Sequence, residues 1–220
     1  MSVQAVLFDL DGTLLDTAPD MAGALNDLRA ENGLPALPFE SVRPSVSHGS
    51  ARLVQLGFPG VDSGRSAALA SRFLEIYRAR LSAETRLFGG MEEVLDELAE
   101  RRLPAGIVTN KPARLTEPLL EELGLRARFA CVVSGDTVSE RKPHAMPMLH
   151  AARLAGVAPG TCIYVGDAQR DVQAAHAAGM RALVATYGYL GEEDDWRSWR
   201  ADGSIDRPAD LLGWLGAARG

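Results

Sequence analysis

Carboxylates stand at the ends of apolar runs in this 220-residue sequence. Asp9 and Asp11 follow the first run, and Asp167 closes a later one. Two carboxylates at the end of a buried strand repel each other and lose hydration, so a cation has to compensate their charge. Mg²⁺ is the obvious candidate, because it binds few carboxylates, several waters and a substrate phosphate. The pattern therefore predicts metal-assisted chemistry on a phosphate.

More polar groups stand at equivalent positions along the chain. Thr109 and Asn110 end a second apolar run, Lys142 lies in the loop beyond a third, and Asp171 opens a helical stretch. Gly12 permits a tight turn and a close approach of the backbone to a phosphate. Asp136 also ends a run, but it either binds indirectly or only ends a strand, and we assign it no role.

The apolar runs predict a parallel sheet that brings these groups together. Each run is nearly continuous in apolar character, which is typical of strands buried on both faces. The runs alternate with helical patterns, which predicts right-handed crossovers and helices on both sides of the sheet. The expected fold is α/β, with a Rossmann-like parallel sheet whose ligands bind beyond the carboxyl ends of the strands. The strands are expected at residues 3–8, 105–110, 129–136, 162–167 and 181–186, and the helices at 90–101, 113–123, 147–155 and 171–178.

One region breaks the alternation. Residues 17–86 contain amphipathic helical stretches at 21–32 and 66–81 and no convincing strand. We therefore expect a helical cap domain at 17–86, inserted into an α/β core domain formed by 1–16 and 87–220. The alternative is a peripheral helical pair with only a packing role. Residues 204–215 predict a last edge strand and a helix.

The composition and charge of the sequence limit the kinds of binding partner that we expect. The net charge of −6 and the scattered basic residues argue against nucleic acid. The first apolar run is far shorter than the roughly 20 residues of a membrane span, so no membrane association and a cytoplasmic location are expected. Cys131 and Cys162 lie in apolar runs and are expected to be inert buried thiols. The expected partner is a small phosphorylated metabolite, and the expected state is a monomer or weak homodimer.

Four segments, taken together, resemble the ordered motifs of the haloacid dehalogenase superfamily. They are DLDGT at 9–13, VTN at 108–110, Lys142 with Pro143, and GDAQRD at 166–171. The resemblance covers essentially the whole chain, including the helices inserted after the first motif. One departure is KPHAMP at 142–147, where Ala145 stands in place of an expected proline. Pro143 and Pro147 still fix two backbone torsions, so we expect Lys142 to keep its place.

The resemblance implies catalytic roles. Asp9 would be the nucleophile that forms an aspartyl-phosphate, and Asp11 would be the general acid and then the general base. Thr109, Asn110 and Lys142 would bind the phosphate, and Lys142 would also neutralise Asp9. Because Asp11 is present, phosphoryl transfer is favoured over dehalogenation, which needs no proton donor.

The resemblance also implies a Mg²⁺ site. Its ligands would be Asp9, the backbone carbonyl of Asp11, and Asp167. Asp171 would orient the metal waters or Lys142 from behind, or stabilise the start of its own helix.

Substrate choice is expected to depend on the inserted helices. Arg43, Ser47, His48 and Ser50 lie in a stretch typical of a loop at a helix N-terminus, which could bind a carboxylate or a sugar hydroxyl. The chain resembles the phosphoglycolate phosphatase branch, and VTNKP and TYGYL are similar to N-acetylmuramic acid 6-phosphate phosphatases. A phosphomutase of the same fold and a non-enzymatic phospho-aspartate switch domain are the remaining alternatives.

Overall fold

The protein is built on a parallel sheet with helices on both faces. The computed structural model describes residues 2–191 and 193–216. The strands in these ranges, in chain order, are β1 (Ala5–Phe8), β2 (Leu15–Asp16), β3 (Arg86–Leu87), β4 (Ala105–Val108), β5 (Cys131–Val133), β6 (Cys162–Gly166), β7 (Arg181–Ala185) and β8 (Gly203–Ile205). The helices are α1 (Ala18–Glu31), α2 (Phe39–Val42), α3 (Gly49–Gly57), α4 (Ser63–Ala79), α5 (Met91–Glu100), α6 (Ala113–Glu122), α7 (Met146–Leu154) and α8 (Gln169–Ala177).

Six of these strands form the main sheet, in the order β5-β4-β1-β6-β7-β8, with every pair parallel. Val6 of β1 is paired with Ala105 of β4 on one side and with Ile163 of β6 on the other. The chain builds outward from β1 to β5 and then crosses back to β6, so the strand order reverses beside β1. A ligand is expected at such a reversal, beyond the carboxyl ends of β1, β4 and β6. The predicted fold class is confirmed.

The continuous apolar character of the strands follows from their burial on both faces. In β1, Val6 and Phe8 belong to the core cluster that includes residues of α5 and α6. Ala5 and Leu7 belong to the opposite cluster, which includes residues of α7 and α8. Cys131 and Cys162 are buried free thiols, as expected.

The helices α1–α4 all lie between β2 and β3. These two short strands are antiparallel, with Leu15 opposite Leu87 and Asp16 opposite Arg86. The buried carboxylate of Asp20 accepts hydrogen bonds from the backbone N–H groups of residues 84 and 85, which ties the start of α1 to the return segment. This strand pair was not predicted, because two residues are too few for a detectable alternation.

Most predicted elements are confirmed, with ends shifted by up to three residues. The tail forms β8 as expected, but the segment Pro208–Trp214 is a 3₁₀ helix instead of an α-helix. Residues 217–220 of the predicted core domain lie outside the described residues. Of the helices in the described ranges, none combines the length and the apolar character that a membrane crossing requires.

Candidate active site

The side chains predicted from strand ends meet at the reversal of strand order. Asp9 follows β1 and donates its backbone N–H to the carbonyl of Val165 in β6 at 2.8 Å, which holds the ends of these two strands together. Asp167 follows β6 directly, and Thr109 follows β4. The parallel register therefore brings residues that are about 160 positions apart in the sequence to one edge of the sheet.

Lys142 lies between two buried carboxylates, those of Asp9 and Asp171. Its ammonium is 2.8 Å from Asp9 Oδ1 and 2.7 Å from Asp171 Oδ1, and it contacts the hydroxyl of Tyr164 at 2.8 Å. The side chain of Lys142 is fully buried. The expectation that Lys142 keeps its place beside Asp9 is confirmed, despite Ala145 in the loop that carries it.

The cluster has the chemistry of a divalent cation site. Asp9, Asp167 and Asp171 each offer a carboxylate oxygen, and these oxygens lie within 4.8 Å of one another. Asp167 Oδ1 is buried and has no hydrogen-bond partner among the described residues. Lys142 offsets only one of the three negative charges. The residues therefore fit a hard cation with oxygen ligands.

Burial and mutual repulsion change the acidity of this cluster. Burial raises the pKa of Asp167 to about 7, and the neighbouring Asp9 and Asp171 add to the effect. Burial also raises the pKa of Asp9, although the ammonium of Lys142 opposes that shift. Burial, with the neighbouring carboxylates adding to it, therefore disfavours the charged forms of Asp9 and Asp167, and a bound cation would oppose this effect.

Asp171 makes both of the contacts considered for it. One carboxylate oxygen contacts Lys142, and the other accepts the backbone N–H of Ala168 at 3.0 Å, at the start of α8. The capping contact stabilises the helix and also fixes the carboxylate that holds Lys142. Gly166 leaves room for it, since a Cβ there would stand 2.5 Å from the side chain of Asp171.

Gly12 lies against the carboxylate of Asp167. Its φ of +81° is in the left-handed region, and a Cβ at this position would stand 2.1 Å from Asp167 Oδ2. The tight turn predicted for Gly12 is confirmed. Because glycine has no Cβ, the backbone of residue 12 can lie this close to Asp167.

The side chain of Asp11 points to different partners. Its Oδ1 accepts hydrogen bonds from the hydroxyl of Thr17 and from the ammonium of Lys111, both at 2.7 Å. Lys111 also contacts the hydroxyl of Tyr77 in α4 at 2.9 Å. The carboxylate of Asp11 is thus not part of the acidic cluster of Asp9, Asp167 and Asp171.

Thr109 and Asn110, which follow β4, have different hydrogen-bond partners. The hydroxyl of Thr109 accepts the backbone N–H of Lys111. The amide of Asn110 pairs with the backbone of Lys142 in both directions, at 3.0 Å each, and so joins the end of β4 to the loop that carries the lysine. Neither side chain caps the following helix. Asp136 does so instead, because its Oδ1 accepts the N–H of Ala113 at 2.8 Å.

Residues 43–48 form a 3₁₀ helix that lies across the site. The hydroxyl of Ser47 donates to Asp167 Oδ2 at 2.7 Å, and Arg170 donates to the carbonyl of Ser47. The guanidinium of Arg43 lies 4.9 Å from the ring centre of Tyr189, so Arg43 joins this segment to the core instead of facing a ligand.

A cavity of about 380 Å³ lies between the sheet edge and the inserted helices. Asp9, Asp11, Thr109 and Asn110 line its floor, and the apolar side chains of α1, α4 and α6 line part of its wall. Of the predicted substrate-binding residues, Ser47, His48 and Ser50 also line it. Burial, followed by the charge of Arg170, lowers the pKa of His48.

Sequence reasoning missed four polar side chains that line the cavity, those of Tyr77, Lys111, Arg141 and Arg170. Lys111 and Arg141 lie directly beside recognised motifs, and Arg170 lies within the segment GDAQRD. One signal could have identified Lys111: it and Lys142 are the only lysines in the chain, whose other strong bases are all arginines.

Comparisons with known proteins agree with this site. The family model described as "Haloacid dehalogenase-like hydrolase" matches residues 6–185. A phosphoglycolate phosphatase of Xanthomonas campestris pv. campestris is 45% identical over 98% of this chain and 96% of that protein. An N-acetylmuramic acid 6-phosphate phosphatase of Pseudomonas putida is 38% identical over 96% and 95%. A crystal structure from Haemophilus somnus, described as a predicted phosphoglycolate phosphatase, has a TM-score of 0.86 at 27% identity and covers 97% of this chain and 98% of that one.

The chain therefore belongs to the haloacid dehalogenase-like hydrolases, and within that family it is a phosphatase. The resemblance inferred from the four motifs is confirmed. The alternative of a non-enzymatic switch domain is wrong, since such a domain lacks the large helical insertion found here between β2 and β3.

Proposed function

We propose that this phosphatase uses Mg²⁺ to hydrolyse a small phosphorylated acid, with phosphoglycolate as the leading candidate. The observation that carries the proposal is the buried cluster of Asp9, Asp167 and Asp171, in which Asp9 and Asp171 contact Lys142 and Asp9 lines the cavity. The 45% identity to the Xanthomonas phosphoglycolate phosphatase supports the substrate.

In the proposed reaction, a carboxylate oxygen of Asp9 attacks phosphorus while the bond from phosphorus to the leaving oxygen breaks. Asp11 gives its proton to that oxygen, and the alcohol leaves. Water then attacks the aspartyl-phosphate, Asp11 takes a proton from the water, and inorganic phosphate is released with Asp9 restored. Lys142, with Thr109 and Asn110 beside it, offsets the charge that develops on the phosphoryl oxygens.

The proposed Mg²⁺ ligands are Asp9, Asp167 and the backbone carbonyl of Asp11. When bound, Mg²⁺ would neutralise phosphate oxygens and assist their alignment. Asp171 holds Lys142 at 2.7 Å and keeps the ammonium directed towards Asp9. The unpaired Oδ1 of Asp167 supports this ligand set, because a buried carboxylate oxygen needs a partner.

Residues 17–86 would act as the cap, with 1–16 and 87–220 as the core domain. The contact of Ser47 with Asp167 joins the two across the site. A cap in this position would exclude water and bring Ser47 and His48 towards the part of the substrate beyond phosphate.

N-acetylmuramic acid 6-phosphate is the second candidate. It is supported by the Pseudomonas putida relative and by the cavity of about 380 Å³, which exceeds the needs of a two-carbon acid. Assay of both compounds with Mg²⁺ separates the two candidates. Release of one phosphate per substrate, with no phosphorylated isomer formed, would count against a phosphomutase.

The decisive variant is Asp9→Asn. It should abolish phosphate release while the protein stays folded, because an amide cannot act as the nucleophile. Asp136→Asn is the matched control, since it alters a strand-end aspartate outside the cluster, and it should retain turnover. Chelation should stop the wild-type reaction and Mg²⁺ should restore it. Turnover by Asp9→Asn, or full activity in excess chelator, would refute the mechanism.

A further inference from the structure

Both lysines of the chain lie at the candidate active site, and their surroundings are alike. Lys142 contacts Asp9 and the hydroxyl of Tyr164, whereas Lys111 contacts Asp11 and the hydroxyl of Tyr77. Each ammonium thus accompanies one of the two aspartates of the first motif. In the proposed reaction Asp9 acts at phosphorus and Asp11 at the leaving oxygen. Lys142 is therefore expected on the phosphorus side of the bond that breaks, and Lys111 on the side of the leaving oxygen.

Lys111 is a buried cation with hydrogen-bonding capacity left over. Its side chain is 4% exposed. Burial lowers its pKa, but Asp11 and Tyr77 outweigh that effect and raise the pKa overall, so the ammonium stays charged. Asp11 and Tyr77 take two of its three N–H groups, and the described residues offer no acceptor for the third. Because Lys111 lines the cavity, this N–H can reach an anion bound there.

The other cationic side chains that line the cavity, those of Arg170 and Arg141, do not contact Asp11. Arg170 donates to the carbonyl of Ser47, and its charge acts on Asp9. Arg141 donates to the carbonyl of Gly135. Among the described lining residues, Lys111 is the cation paired with Asp11, and so it lies nearest to the leaving side of the substrate.

We propose that Lys111 binds the carboxylate of the substrate, and that the preferred substrate carries this carboxylate on the carbon bonded to the bridging oxygen. The inference rests on the proposed function, which places the bridging oxygen at Asp11. In such a 2-phosphorylated acid, the carboxyl carbon is two bonds from the bridging oxygen, within reach of an ammonium that contacts Asp11. Phosphoglycolate has this arrangement. In N-acetylmuramic acid 6-phosphate, the carboxylate belongs to a lactyl ether on a different carbon of the sugar, far from the bridging oxygen.

A matched pair of substrates tests the proposal. Phosphoglycolate and 2-hydroxyethyl phosphate differ only in a carboxylate against a hydroxymethyl group. The wild-type enzyme with Mg²⁺ should prefer phosphoglycolate by at least about tenfold in kcat/KM, because a cation placed for an anionic group discriminates against its absence. In Lys111→Met this ratio should fall by about tenfold or more, mainly through the KM for phosphoglycolate. Arg78→Met, which removes an exposed cation next to Tyr77 in α4, should keep the ratio.

Two results would overturn the proposal. One is an equal loss on both substrates in Lys111→Met, which would assign Lys111 to Asp11 alone. The other is a wild-type enzyme that does not distinguish the pair or that prefers N-acetylmuramic acid 6-phosphate, and this comparison holds even if Lys111→Met does not fold. A different result would refute the proposed function. The wild-type enzyme would then release no phosphate from any of the substrates, or its release of phosphate would depend neither on Asp9 nor on Mg²⁺.

Discussion

Replacing Lys142 with methionine removes the one ammonium that the buried carboxylates of Asp9 and Asp171 share. The ammonium lies 2.8 Å and 2.7 Å from them, and all three side chains are buried. Removal of one partner from a buried ion pair costs about 3–5 kcal/mol, because it leaves charge without compensation. Tyr164 keeps a partner for its hydroxyl, which donates to the carbonyl of Val108 at 2.7 Å. We therefore expect Lys142→Met to lose about 3–5 kcal/mol of unfolding free energy.

The assay is urea denaturation in the presence of a chelator, followed by the same titration with Mg²⁺. At about 2–4 °C per kcal/mol for a chain of this size, the loss corresponds to a Tm lower by roughly 6–20 °C. Mg²⁺ should stabilise Lys142→Met more than the wild type, because the cation supplies the charge that the variant lacks. The added Asp171→Asn substitution should recover at least about 1 kcal/mol, since it removes one of the unpaired charges.

Arg126→Met is the control for the loss of an ordinary ion pair. Arg126 contacts Glu117 at 2.8 Å, but both side chains are about 40% exposed. Such a surface pair is worth about 0–1 kcal/mol. If Lys142→Met costs no more than Arg126→Met, the carboxylates are not an uncompensated cluster, and the electrostatic account of the site is wrong.

Three more outcomes are expected. Gly12→Ala should weaken activation by Mg²⁺, since a left-handed alanine costs about 1–2 kcal/mol and its Cβ would displace Asp167; an unchanged Mg²⁺ titration would contradict this. Burial raises the pKa of Asp167 to about 7 in the metal-free protein, so its proton must leave for Mg²⁺ to bind. The Mg²⁺ concentration at half-maximal turnover should accordingly rise as the pH falls below about 7 and level off above it, and a pH-independent value would disprove the link. Tyr189→Phe removes a hydroxyl that donates to Asp16 and accepts the N–H of Ala18; it should cost about 2–4 kcal/mol in urea denaturation, and a loss below about 0.5 kcal/mol would show that the contact is weak.

Much of the fold could be predicted because its strands are buried on both faces. Continuous apolar runs stand out in a sequence, and all six strands of the main sheet were expected from them or from the tail. The pair β2 and β3 could not be predicted, since two residues carry no periodicity. A helix after β8 was expected, but the sequence pattern does not distinguish an α-helix from the 3₁₀ helix found at Pro208–Trp214.

The candidate site also contains residues that could be predicted from the sequence and residues that could not. Polar side chains directly after a strand could be predicted, because a parallel sheet places them at one edge independently of the conformation of the loops. Tyr77 was not, because it reaches Lys111 only through the packing of α4 on the sheet edge, 34 residues away in the chain. Asn110 was expected at the phosphate, and its pairing with the backbone of Lys142 depends on a loop whose path no short motif encodes.

The strand pair β2 and β3 has a mechanical consequence. Helices α1–α4 leave the sheet through one of these strands and return through the other, and the two strands are hydrogen-bonded side by side. The two attachment points lie side by side, so we expect any movement of the helices to be a rotation about them, because a sideways shift would break the pairing of Leu15 with Leu87. Because Asp16 accepts a hydrogen bond from Tyr189, which lies against Gly12, this strand pair is also held to the turn beside Asp167.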